Sequence, residues 1–209
     1  ASFYAIGIPM LESVKLLKSG GMEREAEELL RYYEIHGEML IKNGLCYPPH
    51  EVKYEQSIVA PAVNYLFQLY ELTGKILYLE EGKKQLAVLV LFNGHQPDFH
   101  MYENAVRHWD GYWFGKYKNL GDTFPHYWSS LSGVAFREYE KITGERSYGV
   151  KAENSLRGVL SMINSDGSAS CAYVYPFMVN NVRCQYADPW ANDQDWALYY
   201  YLKEGKNYD

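Results

Sequence analysis

The sequence lacks the features that define several large classes of protein. It has only three cysteines, Cys46, Cys171 and Cys184, an odd number without the spacing of a metal site, so a disulfide framework is not expected. No apolar run is long enough to cross a bilayer. The net charge of -6 argues against a nucleic-acid backbone as a partner. The cysteine count and the absence of a visible signal peptide favour a cytoplasmic location, although a chain that starts at Ala1 could have lost a leader by processing.

The motifs of nucleotide-binding, metal-dependent and serine enzymes are missing as well. The chain contains no phosphate-binding glycine-rich loop, no paired CxxC, no HExxH and no GxSxG. His95, His100 and His108 share one loop region, but their spacing is irregular and no cysteine lies near them. We therefore expect neither a metal site nor a cofactor.

Apolar periodicity predicts helical hairpins that repeat along the chain. Two of them consist of helices at 58–72 and 76–92 and at 129–142 and 148–163. Their turns carry Thr73-Gly74 and Thr143-Gly144, which are 70 residues apart, and glycine commonly follows a helix end. An earlier hairpin is predicted at 9–17 and 23–41, and a final helix begins near Asp193. A short strand is predicted within 169–179.

The helices are predicted to alternate between inner and outer positions. The 58–72 helix is apolar nearly all round, as expected for a helix buried on every side, whereas 23–41 has one apolar and one charged face. Repeats of this length indicate stacked hairpins, in either an open solenoid or a closed α/α toroid. We therefore predict an all-α fold with a single domain over 1–209, built from three hairpins and a last inner helix. It would form an α/α toroid or the C-terminal portion of a six-hairpin toroid.

Three loops rich in aromatic and ionisable residues run straight into the starts of inner helices, at 50–57, 121–128 and 187–196. Helix N-termini expose unpaired N–H groups and carry partial positive charge, so carboxylates and polar ligands gather there. These loops converge only in a toroid, which favours that architecture. All five Trp lie in these loops or in the 108–113 segment: Trp109, Trp113, Trp128, Trp190 and Trp196. A tyrosine-rich core is the alternative explanation of the 21 Tyr, but the clustering of Trp favours stacking platforms for sugar rings.

The hairpin pattern and three aromatic motifs resemble the six-hairpin glycosidase-like (α/α)6 superfamily. The motifs are HWDGYW at 108–113, GDTFPHYW at 121–128 and DPWANDQDW at 188–196. That superfamily includes glycoside hydrolases, unsaturated uronyl hydrolases and toroid polysaccharide lyases. The resemblance implies an active site at the N-terminal ends of the inner helices, where the three loops are predicted to meet.

Glycoside hydrolysis is the leading functional hypothesis, and it requires a protonated acid and a second carboxylate at the scissile bond. Asp110 lies between two tryptophans, where loss of solvation raises the pKa of a carboxyl group toward that of a useful acid. We expect Asp110 and Asp122 to form the acid/base pair, with Glu55 or Asp193 as substitutes. The alternative for each carboxylate is a helix cap or a first-turn acid.

The second hypothesis is a polysaccharide lyase or an unsaturated uronyl hydrolase that acts on an acidic glycan. A lyase removes the proton next to a uronate carboxylate, often with a Tyr or His base, and needs groups that neutralise that carboxylate. His126 and Tyr127 are the candidate bases, and the alternative for each is a packed side chain at a helix end. The residues expected to bind substrate are Arg107, His108, Trp109, Trp113, Trp128, Trp190, Asn192, Asp195 and Trp196.

The third hypothesis, of a different class, is a non-catalytic module of helical hairpins that binds a glycan or a protein. The hairpin count favours it, because a complete toroid of this type uses six. For the two enzyme hypotheses the expected partner is an oligosaccharide or polysaccharide, and neither a nucleic acid nor a membrane.

Overall fold

The computed structural model describes residues 2–44, 56–92, 122–169, 172–175, 178–179, 181–183 and 194–205. Seven α-helices lie in these ranges: α1 (Ser2–Ser19), α2 (Glu23–Asn43), α3 (Gln56–Thr73), α4 (Ile76–Val90), α5 (Ser129–Thr143), α6 (Arg146–Gly158) and α7 (Gln194–Glu204). A 3₁₀ helix, Val159–Met162, continues α6. Four short strands also lie there: β1 (Asp122–His126), β2 (Ala172–Tyr175), β3 (Met178–Val179) and β4 (Val182–Arg183).

Inner and outer helices alternate along the chain, as the sequence predicts. The inner row consists of α1, α3, α5 and α7, and each of these helices packs against the next. The outer helices α2, α4 and α6 pack mainly against the inner helix of their own hairpin. Every residue over 58–69 in α3 and over 129–139 in α5 is buried, whereas α2 presents a charged, exposed face. The prediction of an all-α fold, with repeated hairpins arranged as an α/α toroid or part of one, is confirmed.

The turns of two hairpins contain the same hydrogen bonds, which confirms the 70-residue repeat seen in the sequence. In each turn the threonine hydroxyl donates to the carbonyl four residues earlier, at 2.6 Å for Thr73 and 2.8 Å for Thr143. The same hydroxyl oxygen accepts the backbone N–H two residues later, at 3.2 Å in both turns. Gly74 and Gly144 follow with φ of 69° and 74°, a left-handed conformation that glycine adopts without a steric penalty.

The inner helix α3 lies between two apolar clusters and contributes to both. On one side Phe67 packs with residues of α4 and α5, and its ring centroid is 5.4 Å from that of Tyr139. On the other side Tyr65 and Leu69 pack with residues of α1, α2 and α4. The Tyr65 hydroxyl donates to the backbone carbonyl of Tyr33 at 2.8 Å, so this buried phenol has a partner. Burial on both sides explains why the α3 sequence shows no polar face.

Several helix boundaries differ from the prediction. α1 extends toward the N-terminus and contains Pro9, and α3 begins at Gln56, which places Pro61 in its second turn. A proline inside a helix removes one backbone hydrogen bond, and complete burial of residues such as Leu11 offsets that loss. The helix predicted over 148–163 ends at Gly158 and tightens into the 3₁₀ helix.

The segment before α5, predicted as a loop, forms a strand. β1 pairs with β2 in antiparallel fashion, with Asp122 opposite Tyr175. The register shifts between Thr123 and His126, around Pro125, which lacks an N–H and fits where the hydrogen-bond ladder is interrupted. The strand predicted within 169–179 is present as β2 and β3, and β3 pairs with β4.

Candidate functional site

The aromatic motif at 121–128 contains β1 and leads directly into the N-terminal end of the inner helix α5. The strand ends at His126, a turn of two residues follows, and α5 begins at Ser129. The turn carbonyls anchor the helix start, because Tyr127 accepts the Ser130 hydroxyl at 3.0 Å and Trp128 accepts the Leu131 N–H at 3.0 Å. The backbone of β1 therefore lies at the end of α5 where the sequence predicts the active site.

Asp122 is not the N-cap of α5, which was the alternative to its catalytic role. The N-cap position belongs to Trp128, and Asp122 is the first residue of β1. The structure describes only the backbone at Asp122 and His126, so the catalytic roles of these two side chains stay predictions.

Tyr127 is a packed side chain in an apolar cluster. It is 6% exposed and contacts the cluster formed with Val159 and Met162 of the 3₁₀ helix and Ala197 of α7. Its ring centroid lies 5.5 Å from that of Trp128, which is partly exposed at the edge of the same cluster. These surroundings match the packing alternative for Tyr127, and they hold the β1–α5 turn against the start of α7.

A buried hydrogen bond joins the N-terminal ends of α3 and α5. Gln56, the first residue of α3, donates from Nε2 to the Ser132 hydroxyl oxygen at 2.7 Å, and both residues are fully buried. The side-chain amide oxygen of Gln56, Oε1, accepts no hydrogen bond from the described part of the chain. Sequence reasoning missed this pair, although a glutamine at the start of a wholly apolar helix could have signalled a buried polar contact.

Two further amide side chains are buried along α3. Gln68 donates from Nε2 to the Asn64 side-chain oxygen at 2.5 Å, and these side chains are 4% and 0% exposed. The helix that looks apolar all round in the sequence therefore carries buried hydrogen-bonding groups from its N-terminal end inward. Such groups are costly in a core, so their positions are specific features of this interior.

The structure places the other predicted site residues as follows. Asp195 and Trp196 lie in the first turn of α7, where only the backbone is described. This position matches the alternative explanation of Asp195 as an acid in the first turn of a helix. Nine predicted residues lie outside the described residues: Glu55, Arg107, His108, Trp109, Asp110, Trp113, Trp190, Asn192 and Asp193. The predicted approach of Asp110 to Asp122 therefore stays a prediction.

The described ranges also bear on metal binding and on membrane insertion. Within them, no three His, Cys, Asp or Glu side chains come close enough together to hold a metal ion. None of the helices described there is long and apolar enough to cross a membrane.

The fold defines a class of protein: an all-α arrangement of hairpins in which a strand and aromatic turns lead into the inner helices. No protein-family model matches the chain, and no curated protein matches it. Among solved structures, the chain is similar to one described as "Polysaccharide Lyase BACCELL_00875", with 51% sequence identity and a TM-score of 0.76 over 95% of this chain. The match covers 30% of that protein, so this chain corresponds to less than a third of its length.

Proposed function

We propose that this chain belongs to a polysaccharide lyase that cleaves an acidic polysaccharide by β-elimination. The observation that carries the proposal is the 51% identity, over 95% of this chain, to a protein described as a polysaccharide lyase. The entry of β1 and its aromatic turn into the inner helix α5 supports it, because polar ligands collect at such helix starts. Between the two enzyme hypotheses, the comparison favours the lyase over the glycoside hydrolase.

The reaction requires a base and a charge-neutralising group around one sugar ring. A base removes the proton from the carbon that carries the uronate carboxylate, and a cationic or amide group neutralises that carboxylate as negative charge builds up. The electron pair from the broken C–H bond forms a carbon–carbon double bond, and the glycosidic oxygen leaves and takes a proton. The product with the new double bond absorbs ultraviolet light, and no water is consumed.

His126 is the base that we propose. It ends β1, next to the turn that opens α5, whereas Tyr127 beside it is enclosed by apolar side chains. Because the Tyr127 side chain packs in this cluster, we propose the His126 imidazole as the base in preference to the Tyr127 phenol. Arg107, His108 and Asn192 are proposed to neutralise the uronate, and Trp128 to stack on a sugar face.

The direct test incubates the 209-residue chain with a panel of acidic and neutral polysaccharides. Ultraviolet absorbance and new reducing ends are followed in the same samples. We expect both signals to rise together on an acidic substrate. Reducing ends without absorbance would contradict the proposal and direct attention to Asp110 and Asp122, with Glu55 and Asp193 as further candidates. No signal on any substrate would instead support the non-catalytic binding module.

Variants separate the two candidate bases. His126→Ala is expected to lower the rate by about 100-fold or more, the usual contribution of a general base. The matched control is His36→Ala on the outer helix α2. Tyr127→Phe keeps the ring in its cluster and is expected to leave the rate within a few-fold, with exposed Tyr32→Phe as its control. An unchanged rate in His126→Ala together with a large loss in Tyr127→Phe would exchange the two assignments.

A further inference from the structure

A row of exposed apolar side chains runs along the outer helix α2. It consists of Tyr32, Ile35 and Met39, which are 54%, 49% and 50% exposed, and we call it the α2 stripe. Residues at positions i, i+3 and i+7 of a helix lie on one face, so these three side chains are neighbours. Tyr33 and Leu40 are buried on the other side of α2. The α2 stripe therefore lies on the surface, away from the core of the fold.

The fold itself does not require an apolar stripe on an outer helix. Single apolar side chains are common on protein surfaces, whereas a contiguous apolar patch marks a site of interaction. The outer helix α4 carries Glu80 and Lys84 in the middle of its exposed face, where α2 carries the stripe. Tyr and Met are also enriched where proteins contact each other. The α2 stripe is therefore suited to contact with another protein surface.

The charged residues at the two ends of the α2 stripe indicate what that surface is. Glu28 lies seven residues before Ile35, and Lys42 lies seven residues after it. Seven residues are about two helical turns, so all three lie on the same face of α2. Both charged residues are exposed, and in the described part of the chain neither has an ion-pair partner. This face thus carries an acid at one end and a base at the other, equally far from its centre.

We propose that two copies of this chain form a dimer in which the α2 stripes pack against each other with their helices antiparallel. A symmetric dimer joins the same patch on both subunits, and a two-fold axis beside Ile35 places this residue against its own copy. Residues equally far before and after Ile35 then face each other. Tyr32 meets Met39 of the second copy, and Glu28 meets Lys42 of the second copy, so each of these contacts forms twice.

The residues on one flank of the α2 stripe support the same arrangement. Arg31 lies four residues before Ile35 and Glu38 lies three residues after it, and both are exposed. In the antiparallel dimer this flank meets the same flank of the second copy, so Arg31 lies near Glu38 of that copy. Parallel helices would instead place each charge next to its own copy, and like charges at an interface are unfavourable. The charge pattern therefore selects the antiparallel pairing.

The size of the α2 stripe sets the expected strength of the dimer. A pair of single helices forms a small interface, below the about 1,200 Å² of a stable complex, so we expect dimers in the micromolar range. The flanking charges are exposed, and high salt should therefore weaken the dimer. The α2 stripe is on the outer surface, and the proposal does not depend on the proposed enzymatic function.

Sedimentation of the full 209-residue chain from about 1 to about 200 µM provides the test. We expect the parent to pass from monomer to dimer over this range. Ile35→Glu places a charge against its own copy and should weaken the dimer by about 100-fold or more. The matched control is Val150→Glu on the outer helix α6, which is 54% exposed and should leave the dimer unchanged. A parent that stays monomeric, or an Ile35→Glu variant that dimerises like the parent, would overturn the proposal.

Reversal of the charges tests the antiparallel pairing and decides the matter if Ile35→Glu does not fold. Glu28→Lys and Lys42→Glu should each weaken the dimer by about tenfold, because two ion pairs become two contacts between like charges. The variant with both changes restores the pairs in the opposite sense and should dimerise within about threefold of the parent. Circular dichroism checks that each variant keeps its helices. If the double variant loses as much affinity as the two single changes together, the antiparallel pairing is wrong and the proposal fails.

Discussion

Gly133 offers a sharp test of how closely the inner helix α5 approaches the outer helix α6. An ideal Cβ at this position would lie 2.6 Å from Leu156 Cγ, 3.0 Å from Leu156 Cδ2 and 3.2 Å from the backbone oxygen of Ala152. Leu156 is completely buried, and the Ala152 oxygen belongs to the α6 backbone, so neither can retreat easily. Gly133→Ala must therefore separate the helices or force Leu156 out of its rotamer.

Two opposing effects set the size of the loss. Alanine is better than glycine inside a helix by about 1 kcal/mol, whereas extra volume in a packed core costs about 1–3 kcal/mol. The closest contacts are with a completely buried side chain, so we place the cost of overpacking in the upper part of its range, about 2–3 kcal/mol, and expect a net loss of about 1–2 kcal/mol. For a chain of this size, that loss lowers the unfolding temperature by about 2–8 °C.

Thermal unfolding followed by circular dichroism measures this loss. The control is Gly20→Ala, where the nearest atoms to an added Cβ are at 3.4 Å and 3.5 Å and φ is not positive. That control should change stability by less than about 0.5 kcal/mol. Combining Gly133→Ala with Leu156→Ala should cost less than the two changes added together, because the second makes room for the first. Stability in Gly133→Ala equal to or above the parent's would refute the close approach of α5 and α6.

Two further predictions concern the repeated turns and a buried ion pair. Gly74→Ala and Gly144→Ala should each cost about 1–2 kcal/mol, equal within error and additive, since both positions are left-handed; unequal losses in urea denaturation would contradict the turn repeat. Arg137→Met should cost about 3 kcal/mol, because it leaves the buried Glu153 with one partner fewer. Lys203→Met, which breaks an exposed ion pair, should lower the free energy of unfolding by less than about 1 kcal/mol. Similar losses of stability in Arg137→Met and Lys203→Met would show that burial does not set the contribution of these ion pairs.

The sequence predicts the helical repeat because the information for it is local. Thr73-Gly74 and Thr143-Gly144 form their turns through hydrogen bonds within a few residues of each threonine. The apolar run over 58–69 needs burial on every side and can find it only between other helices. Inner and outer helices therefore follow from periodicity and turn residues alone.

The structural features that the sequence hid depend on partners far along the chain. β1 pairs with a strand about 50 residues later, and proline within it masks the alternating pattern of a strand. Gln56 is hydrogen-bonded to Ser132, which lies 76 residues later in the chain, and the residues next to either one do not predict this contact. Glu138 looks like a solvated charge near a helix end in the sequence, yet the folded chain buries it.

The sequence predicts the path of the backbone at one of the three candidate loops. The 121–128 motif does lead into an inner helix. The strand β1 ends at His126, and α5 begins three residues later at Ser129. The roles within the motif were not separable by sequence, because a phenol that packs and a phenol that abstracts a proton have the same local pattern. The apolar neighbours of Tyr127 come from the 3₁₀ helix and from α7, which only the folded chain brings to it.

The mass of the oligosaccharide products tests the central claim most directly. β-Elimination cleaves the chain without adding water, so the account predicts a new non-reducing end that is lighter by one water molecule than a hydrolysis product and absorbs ultraviolet light. Products that carry the full mass of an added water molecule, with no absorbance, would contradict the proposed lyase function.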